Sequence, residues 1–526
     1  MTGKPAKIAF GLAAIAGIGA AVYGNLTGNM AVMLGALAVV GALLVMACLT
    51  SRRRPLPVPP PPPREPVLPP APDEVYLAAA DLHDLDTGEA FAARINAIAP
   101  KAKLPLLGPT DLARLGAVID ARRRKKDSFR MAPPVALVRQ ARRDVDITRD
   151  GTSWLGGLPH LGDTPWPRST TGAPLHHVAQ IALAALPDHD LPPQLPRRGS
   201  LCFFIGTAEG PVYSHKVVYV APHRQGATPL PADIPPVFAG PDWGSHIVGH
   251  RLTDAPRSFA RWPLAFFPLP PDRDDSAAAM AMAFADDKGG ALDVDSYARA
   301  APELARPWLW DTAQRVVNSL VLAQEEIPRT IADANKRVAD YGDLYMAEAA
   351  YLAENEAAFR NYVQVAEKWV AGRDPFTPMA QDDIALLEAL FAQIKTPQNR
   401  VPSFALFYRY SRGHMNRLRD ARNATLMTLA RAEPAVYDLL PFAVKADLDA
   451  RHRLPQRGRW HQMFGPASDY QSAARDHAYD HLLLELQSDA LLQWMWGDAG
   501  AVQFWISADD LAESRWDRVA MTIASH

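Results

Sequence analysis

The stretch Leu483-Leu-Glu-Leu-Gln-Ser-Asp-Ala-Leu-Leu-Gln-Trp-Met-Trp-Gly-Asp-Ala-Gly-Ala-Val-Gln-Phe-Trp-Ile506 decides how this chain is read. Its last part, Gly500-Ala-Val-Gln-Phe-Trp-Ile506, is short, apolar and aromatic and opens on a glycine, the pattern of a buried strand. The same form stands far upstream as Gly199-Ser-Leu-Cys-Phe-Phe-Ile205. A glutamine in an apolar context precedes each strand: Gln180 lies 19 residues before Gly199, and Gln487 lies 13 before Gly500. Turned loops come before the glutamines. The first half has Trp154-Leu-Gly-Gly-Leu-Pro159 leading into Asp163-Thr-Pro-Trp-Pro167, and the second has Phe464-Gly-Pro466; glycine and proline there favour turns over helix. The recurrence reads as an imperfect duplication, with both strands in one sheet-containing core and each half supplying equivalent loops.

These residues carry a resemblance. The GGLPHLGDTPWP segment at 156–167, the His176-x-x-x-Gln180 pair, the GSLCFFI strand and the 483–506 stretch are similar to the YwqG-like family, a bacterial domain family of unknown function. The likeness covers roughly 150–270 and 455–526, and its most specific part is the Gln-x-Asp, Trp-Gly-Asp-x-Gly and aromatic strand in that order. It implies an α+β fold with a pseudo-duplicated sheet core, and it supplies no catalytic residues to carry over. Family members often have Gly-Gly-x-Pro in the second half too, whereas this chain has Met463-Phe-Gly-Pro466.

Between the two halves the character changes. From Pro302 to Arg453 the chain is rich in Ala, Glu, Arg and Leu. Ala313, Leu320, Ile327, Ala334 and Tyr341 fall seven apart, as do Ile331, Val338, Tyr345, Leu352, Phe359 and Ala366. Two apolar positions per heptad describe a coiled-coil or bundle seam. Pro328 is expected to break it, and a further helix is expected from about Asp382 to Lys395. Such an insertion packs on itself as a helical hairpin or presents a seam for self-association or a protein partner.

The chain's start is of a third kind. Ile8–Leu26 and Met30–Leu49 contain no charge and are each near the ~20 residues that span a hydrocarbon core. Lys4 and Lys7 precede them and Arg52, Arg53 and Arg54 follow, which by the positive-inside bias puts both ends in the cytoplasm. Residues 55–72 then hold eleven prolines, a semi-rigid polyproline spacer. The expected organisation is a transmembrane hairpin at 1–50 contacting the bilayer through 8–49, a proline-rich linker at 51–72 and a mostly helical lead-in at 73–149. After these come the first half of the sheet domain at 150–271, the helical insertion at 272–454 and the second half at 455–526. The fold class expected is α+β: a pseudo-duplicated sheet core interrupted by a helical, coiled-coil-like insertion and preceded by two transmembrane helices. The location expected is the bacterial inner membrane.

Charge and composition narrow the chemistry. Over 526 residues the net charge is −2, but residues 1–64 hold six basic and no acidic side chains, leaving 49 basic against 57 acidic, or −8, in the rest. A body of that sign is not a general nucleic-acid binder. Two cysteines, Cys48 and Cys202, exclude a disulfide scaffold and a four-cysteine zinc site. The chain has no phosphate-binding loop, Gly-x-Ser-x-Gly elbow, His-Glu-x-x-His or Cys-x-x-Cys, so no catalytic, metal-binding or cofactor-binding residue is assigned.

Three constellations remain. His477 and His481 would share one face of a helix, with Asp476 and Asp480 as acidic neighbours. His160 with Asp163, and His176 with His177, lie near the first Gly-Pro loop, where a carboxylate beside an imidazole makes a general base. The cleft expected between the halves would combine Trp166 and Gln180 with Gln487, Asp489, Trp496 and Asp498, aromatic faces with amides and carboxylates. That mixture suits a polar small molecule or a peptide segment. The expectation is a membrane-tethered binding or scaffolding protein, with an enzyme acting on a polar small molecule in that cleft as the alternative.

Overall fold

The computed structural model describes residues 87–525 apart from 102–103, 189, 207–213, 238–255, 301–307, 343–344, 396–403, 410, 412–413 and 469–473. Two compact units divide the chain, 1–121 and 122–526. In the described part of the first, helix α1 (Gly88–Ile98) is capped by Thr87, whose side chain accepts the Ala90 amide. It packs through Phe91 and Ile95 on Leu115 and Ile119 of α2 (Pro109–Ser128). Gly88 and Gly116 make the contact possible, because a Cβ on Gly88 would lie 2.5 Å from the Gly116 carbonyl oxygen.

The second unit is organised by one ten-stranded antiparallel sheet. Its strands are β1 (Val135–Arg139), β2 (Trp154–Leu155), β3 (His176–Ala182), β4 (Ser200–Ile205), β5 (His215–Val220), β6 (Trp262–Pro268), β7 (His461–Met463), β8 (Asp480–Gln487), β9 (Ala501–Ser507) and β10 (Ala520–Ala524). The order across the sheet is β10-β9-β8-β7-β1-β6-β2-β3-β4-β5. The sheet curls until its edges nearly meet: His215 Nε2 on β5 donates to the Val519 carbonyl at 2.8 Å, and Tyr219 stacks on Trp516 at 6.2 Å. Alternation then sorts the side chains. Leu201, Phe203 and Ile205 of β4 and Val502, Phe504 and Ile506 of β9 point to one shared core. There Phe203 and Phe504 meet edge to face at 5.1 Å. Each fully buried aromatic of this kind stabilises the fold by roughly 2 kcal/mol.

The pairing on one arm of the sheet matches the other position by position. On the first, Trp154 pairs with Gln180, Gln180 with Cys202 and Cys202 with Val218. On the second, Gln462 pairs with Glu485, Glu485 with Gln503 and Gln503 with Thr522. Both arms carry a bulge at the corresponding place, between His177 and Ala179 and between Leu482 and Leu484. After β2, Gly156 and Gly157 take φ of 58° and 64°; after β7, Phe464 and Gly465 take 58° and 69°. Phe464 thus occupies a left-handed position at a cost of roughly 1–2 kcal/mol, held there by burial of its ring.

The helices between β6 and β7 divide: Val294, Tyr297, Leu429, Val444 and Leu448 join the core of the sheet, and the helices from Trp310 to Tyr408 share a second core. Helix α3 (Arg273–Ala283) and α4 (Val294–Ala300) precede α5 (Trp310–Glu325), α6 (Ile327–Tyr341) and α7 (Met346–Val370). Ala313, Leu320, Ile327 and Ala334 of the first heptad series and Leu352, Phe359 and Ala366 of the second are buried in a core that α5, α6 and α7 share, whereas Tyr341 is 39% exposed. Pro328 stands in the first turn of α6, where its missing amide donor costs nothing.

The expected fold class needs correction. In place of a core of two halves behind two transmembrane helices, there is one continuous, nearly closed antiparallel sheet, in which β1, from the segment read as a helical lead-in, runs through the middle. No helix among the described residues is long and apolar enough to cross a membrane, in contrast with the expected multi-pass protein of the inner membrane. The hairpin expected at 1–50, with its bilayer contact through 8–49, and the linker at 51–72 lie outside the described residues.

Candidate functional site

On the outer face of the second arm, pairing lines up Gln462, Glu485, Gln503 and Thr522 across β7 to β10. Four polar residues side by side on neighbouring strands must satisfy one another when covered, and they do. Gln503 donates to Glu485 at 2.9 Å and accepts from the Thr522 hydroxyl at 2.9 Å. Gln462 accepts from the Trp460 indole at 2.9 Å and donates to the Phe464 and Pro466 carbonyls at 3.1 and 2.8 Å. The loop that follows Phe464 is thereby fastened over the row.

Glu485 is the centre. Its carboxylate is 1% exposed and accepts four hydrogen bonds: from the Ser468 amide (2.8 Å), the Ser468 hydroxyl (2.8 Å), Gln503 (2.9 Å) and Gln487 (2.5 Å). All four donors are neutral, and Glu485 makes no ion pair among the described residues. Burial raises its pKa, partly opposed by these hydrogen bonds. Beside it lies a cavity of about 330 Å³. Glu485, Gln487, Gln462 and Ser468 line its inner wall, with Trp460 and Pro134 beside them and Arg459 and Arg273 contributing the positive charge.

At the matched place on the first arm this space is filled. The Trp154 ring, where the second arm has Gln462, packs against His160 at 4.9 Å, and the Arg261 guanidinium covers it at 4.4 Å. Gln180 accepts the His160 amide at 2.7 Å, as Glu485 accepts the Ser468 amide. The two arms share a frame, but among the described residues Trp154, His160 and Arg261 pack together on the first, whereas the second borders a cavity beside Glu485.

Behind the pocket wall lies a buried pin. Arg139 of β1 donates to the His452 carbonyl twice, at 3.1 and 3.0 Å, and to the Leu454 carbonyl, and pairs with the Asp489 carboxylate. Asp489 also accepts from His461 Nε2 at 3.2 Å and from the amides of Leu491 and Leu492. His461 Nδ1 accepts the Gln487 amide at 3.0 Å, which fixes the tautomer with the proton on Nε2. Burial holds its pKa well below the ordinary value. A His–Asp pair with both ring nitrogens engaged has no lone pair for a substrate proton, so it positions the wall.

The sequence-derived residues are dispersed by the fold. Gln487 lines the pocket, and Asp489 and Trp496 lie behind it, Trp496 donating to the Gln487 carbonyl at 3.2 Å. Asp498 is exposed in the turn before β9. Trp166 and Gln180 belong to the other arm, where Trp166 donates to the Leu175 carbonyl at 2.8 Å and meets Phe204 edge to face. His176 and His177 are buried and pushed down to about 4. His177 Nδ1 donates to the Gly156 and Gly157 carbonyls, while Asp163 accepts from Gln225. His477 ends a short 3-10 turn and His481 stands in β8, so they share no helix; His477 pairs with Asp480, which also takes Lys125. No group of residues that could hold a metal occurs among the described residues.

Glu485, Gln462, Gln503, Ser468, Arg459 and Arg139 were not singled out by sequence. One signal was present: in Leu482-Leu-Leu-Glu-Leu-Gln487 a charge and an amide fall on alternate positions of an otherwise apolar run. The sequence likeness matches Gln180 with Gln487, whereas the strand register makes Gln180 the counterpart of Glu485.

Residues 153–229 and 351–524 match a domain of unknown function (DUF1963). Its first segment takes in β2 to β5, and its second runs from within α7 to β10, including the wall from Gly458 to Gln487. Arg273, Pro134 and Arg139 stand outside both segments. No curated protein matches the chain.

Proposed function

We propose that this protein is a binding module, with the pocket beside Glu485 as the place where a small polar ligand is held, and that within the matched domain it is YwqG-like. The difference between the arms carries this reading. Trp154, Arg261 and His160 close the first, whereas the second keeps a cavity of about 330 Å³ bordered by amides, a carboxylate and two arginines. A site of this size with a few directed polar groups on rigid strands is the usual form of a small-molecule site. The module reading replaces a cleft between halves: every group proposed to touch ligand sits on the second arm or the helix and strand flanking it.

Thermal unfolding of the full chain in the presence of small polar metabolites tests it. A ligand should raise the midpoint, and Arg459→Ala should abolish that rise with little change in the midpoint of the free protein, because Arg459 is partly exposed. Ligand-induced shifts that persist in Arg459→Ala, and equally in a variant with Ser468→Trp filling the cavity, would place binding elsewhere.

A further inference from the structure

We propose that the pocket takes a free amino acid, its ammonium group turned toward Glu485 and its carboxylate toward Arg459 and Arg273. This rests on the pocket being a binding site and names what fills it.

The argument starts from the matched arm. Gln180 and Glu485 hold the same register position and perform the same backbone task, accepting the amide of His160 and of Ser468. A neutral amide suffices for that task. The carboxylate at 485 also accepts from the Ser468 hydroxyl, Gln487 and Gln503, and it adds a buried negative charge that makes no ion pair among the described residues. Such a charge is a net cost to folding unless a cation joins it. Four neutral donors surround it, and a carboxylate is the form that accepts from all of them. In a covered site the attraction for an ammonium group exceeds what an exposed carboxylate offers, because the effective dielectric is lower.

The arginines narrow the class further. Arg273 stands on α3, where it donates to the Ala467 carbonyl at 3.3 Å, and Arg459 borders the cavity with Trp460. Two guanidinium groups beside the same cavity disfavour a polyamine, which is cationic throughout. They match a carboxylate, which guanidinium binds through paired hydrogen bonds. Charges of both signs bordering one small cavity are complementary to a zwitterion.

The test is thermal unfolding of the full chain with millimolar free L-amino acids, their N-acetyl derivatives and putrescine. At least one free amino acid should raise the midpoint, while its N-acetyl derivative and putrescine should not. Glu485→Gln keeps one acceptor oxygen and leaves two of the four donors without their partner, so its midpoint should fall, and the folded variant should bind the amino acid at least about ten-fold more weakly. An N-acetyl derivative as effective as its parent, or a Glu485→Gln protein that binds as tightly as wild type, overturns the ammonium contact and leaves the pocket standing. If Glu485→Gln fails to fold, the wild-type comparison decides alone: an N-acetyl derivative as effective as its parent amino acid overturns the ammonium contact, and an ineffective one upholds it. Wild type that responds to no free amino acid overturns the inference; if Arg459-dependent shifts with other metabolites are also missing, the pocket reading falls with it.

Discussion

Replacing Arg139 by leucine removes one side chain and leaves several groups stranded. The guanidinium is fully buried, holds the carbonyls of His452 and Leu454 and is the cationic partner of Asp489, whose side chain is 0% exposed. After Arg139→Leu the carboxylate keeps only a neutral imidazole and the Leu491 and Leu492 amides, and two carbonyls lose their donor. Breaking a buried ion pair from one side costs about 3–5 kcal/mol. Urea unfolding of the full chain at neutral pH, followed by tryptophan fluorescence, reads this directly. Trp262 lies 5.9 Å from the guanidinium, and Trp494 lies 5.7 Å from the His461 ring, so both report on the pin. With a denaturant slope of about 3 kcal/mol per molar, the loss moves the midpoint down by about 1–2 M. Arg139→Leu combined with Asp489→Leu removes the stranded charge as well and should be less destabilised than the sum of the single changes by about 1–3 kcal/mol. A midpoint for Arg139→Leu within about 1 kcal/mol of wild type, or strict additivity in the double variant, refutes the pin.

The remaining predictions concern the other arm. His176 and His177 are held at about 4 by burial, below the unfolded value of 6.5, so the unfolded chain binds protons first and stability falls as pH drops from 6.5 through 4, by up to about 3 kcal/mol for each. His177→Gln, whose amide reaches the same carbonyls, should show a shallower loss of urea midpoint over that range; an unchanged slope counts against the assignment. Gly156→Ala places a Cβ 2.1 Å from the Ala260 carbonyl oxygen at a φ of 58°, and a loss of more than about 2 kcal/mol is expected in the same assay. A near-neutral outcome means that the β2–β6 contact gives way more easily than its geometry suggests.

Some of this molecule was open to reading residue by residue. The strands at 200–205 and 501–507 announce themselves because a glycine-opened run of apolar and aromatic residues has no other compact use. The helices from Trp310 to Val370 follow from heptad spacing, and their buried seams from the same count. Val135-Ala-Leu-Val-Arg139 was not legible as a central strand. It is five residues long, follows a twenty-residue helix and ends on an arginine that local rules place in water. Glu485 failed for a related reason. Alternation put it on the outer face, which by default faces solvent, and only the loop fastened down by Gln462 shows that it is covered. Gln180 matches Gln487 in the sequence because both are glutamines in an apolar run, whereas β3 ends at Ala182 and β8 at Gln487, so the strand ends align Gln180 with Glu485.

The sequence by itself determined the local periodicities, the turns, the Gly-opened strands and the internal likeness of two segments. These depend on neighbours a few residues apart, where sterics and side-chain direction act. Only the tertiary structure decided that one nearly closed sheet contains both segments, that Arg139 and Asp489 meet across 350 residues, and that one arm is filled by Trp154 while the other is hollow above a buried carboxylate. Strand partners and desolvation are set by groups remote in the chain, and no spacing within a segment encodes which of two matching frames will be left empty.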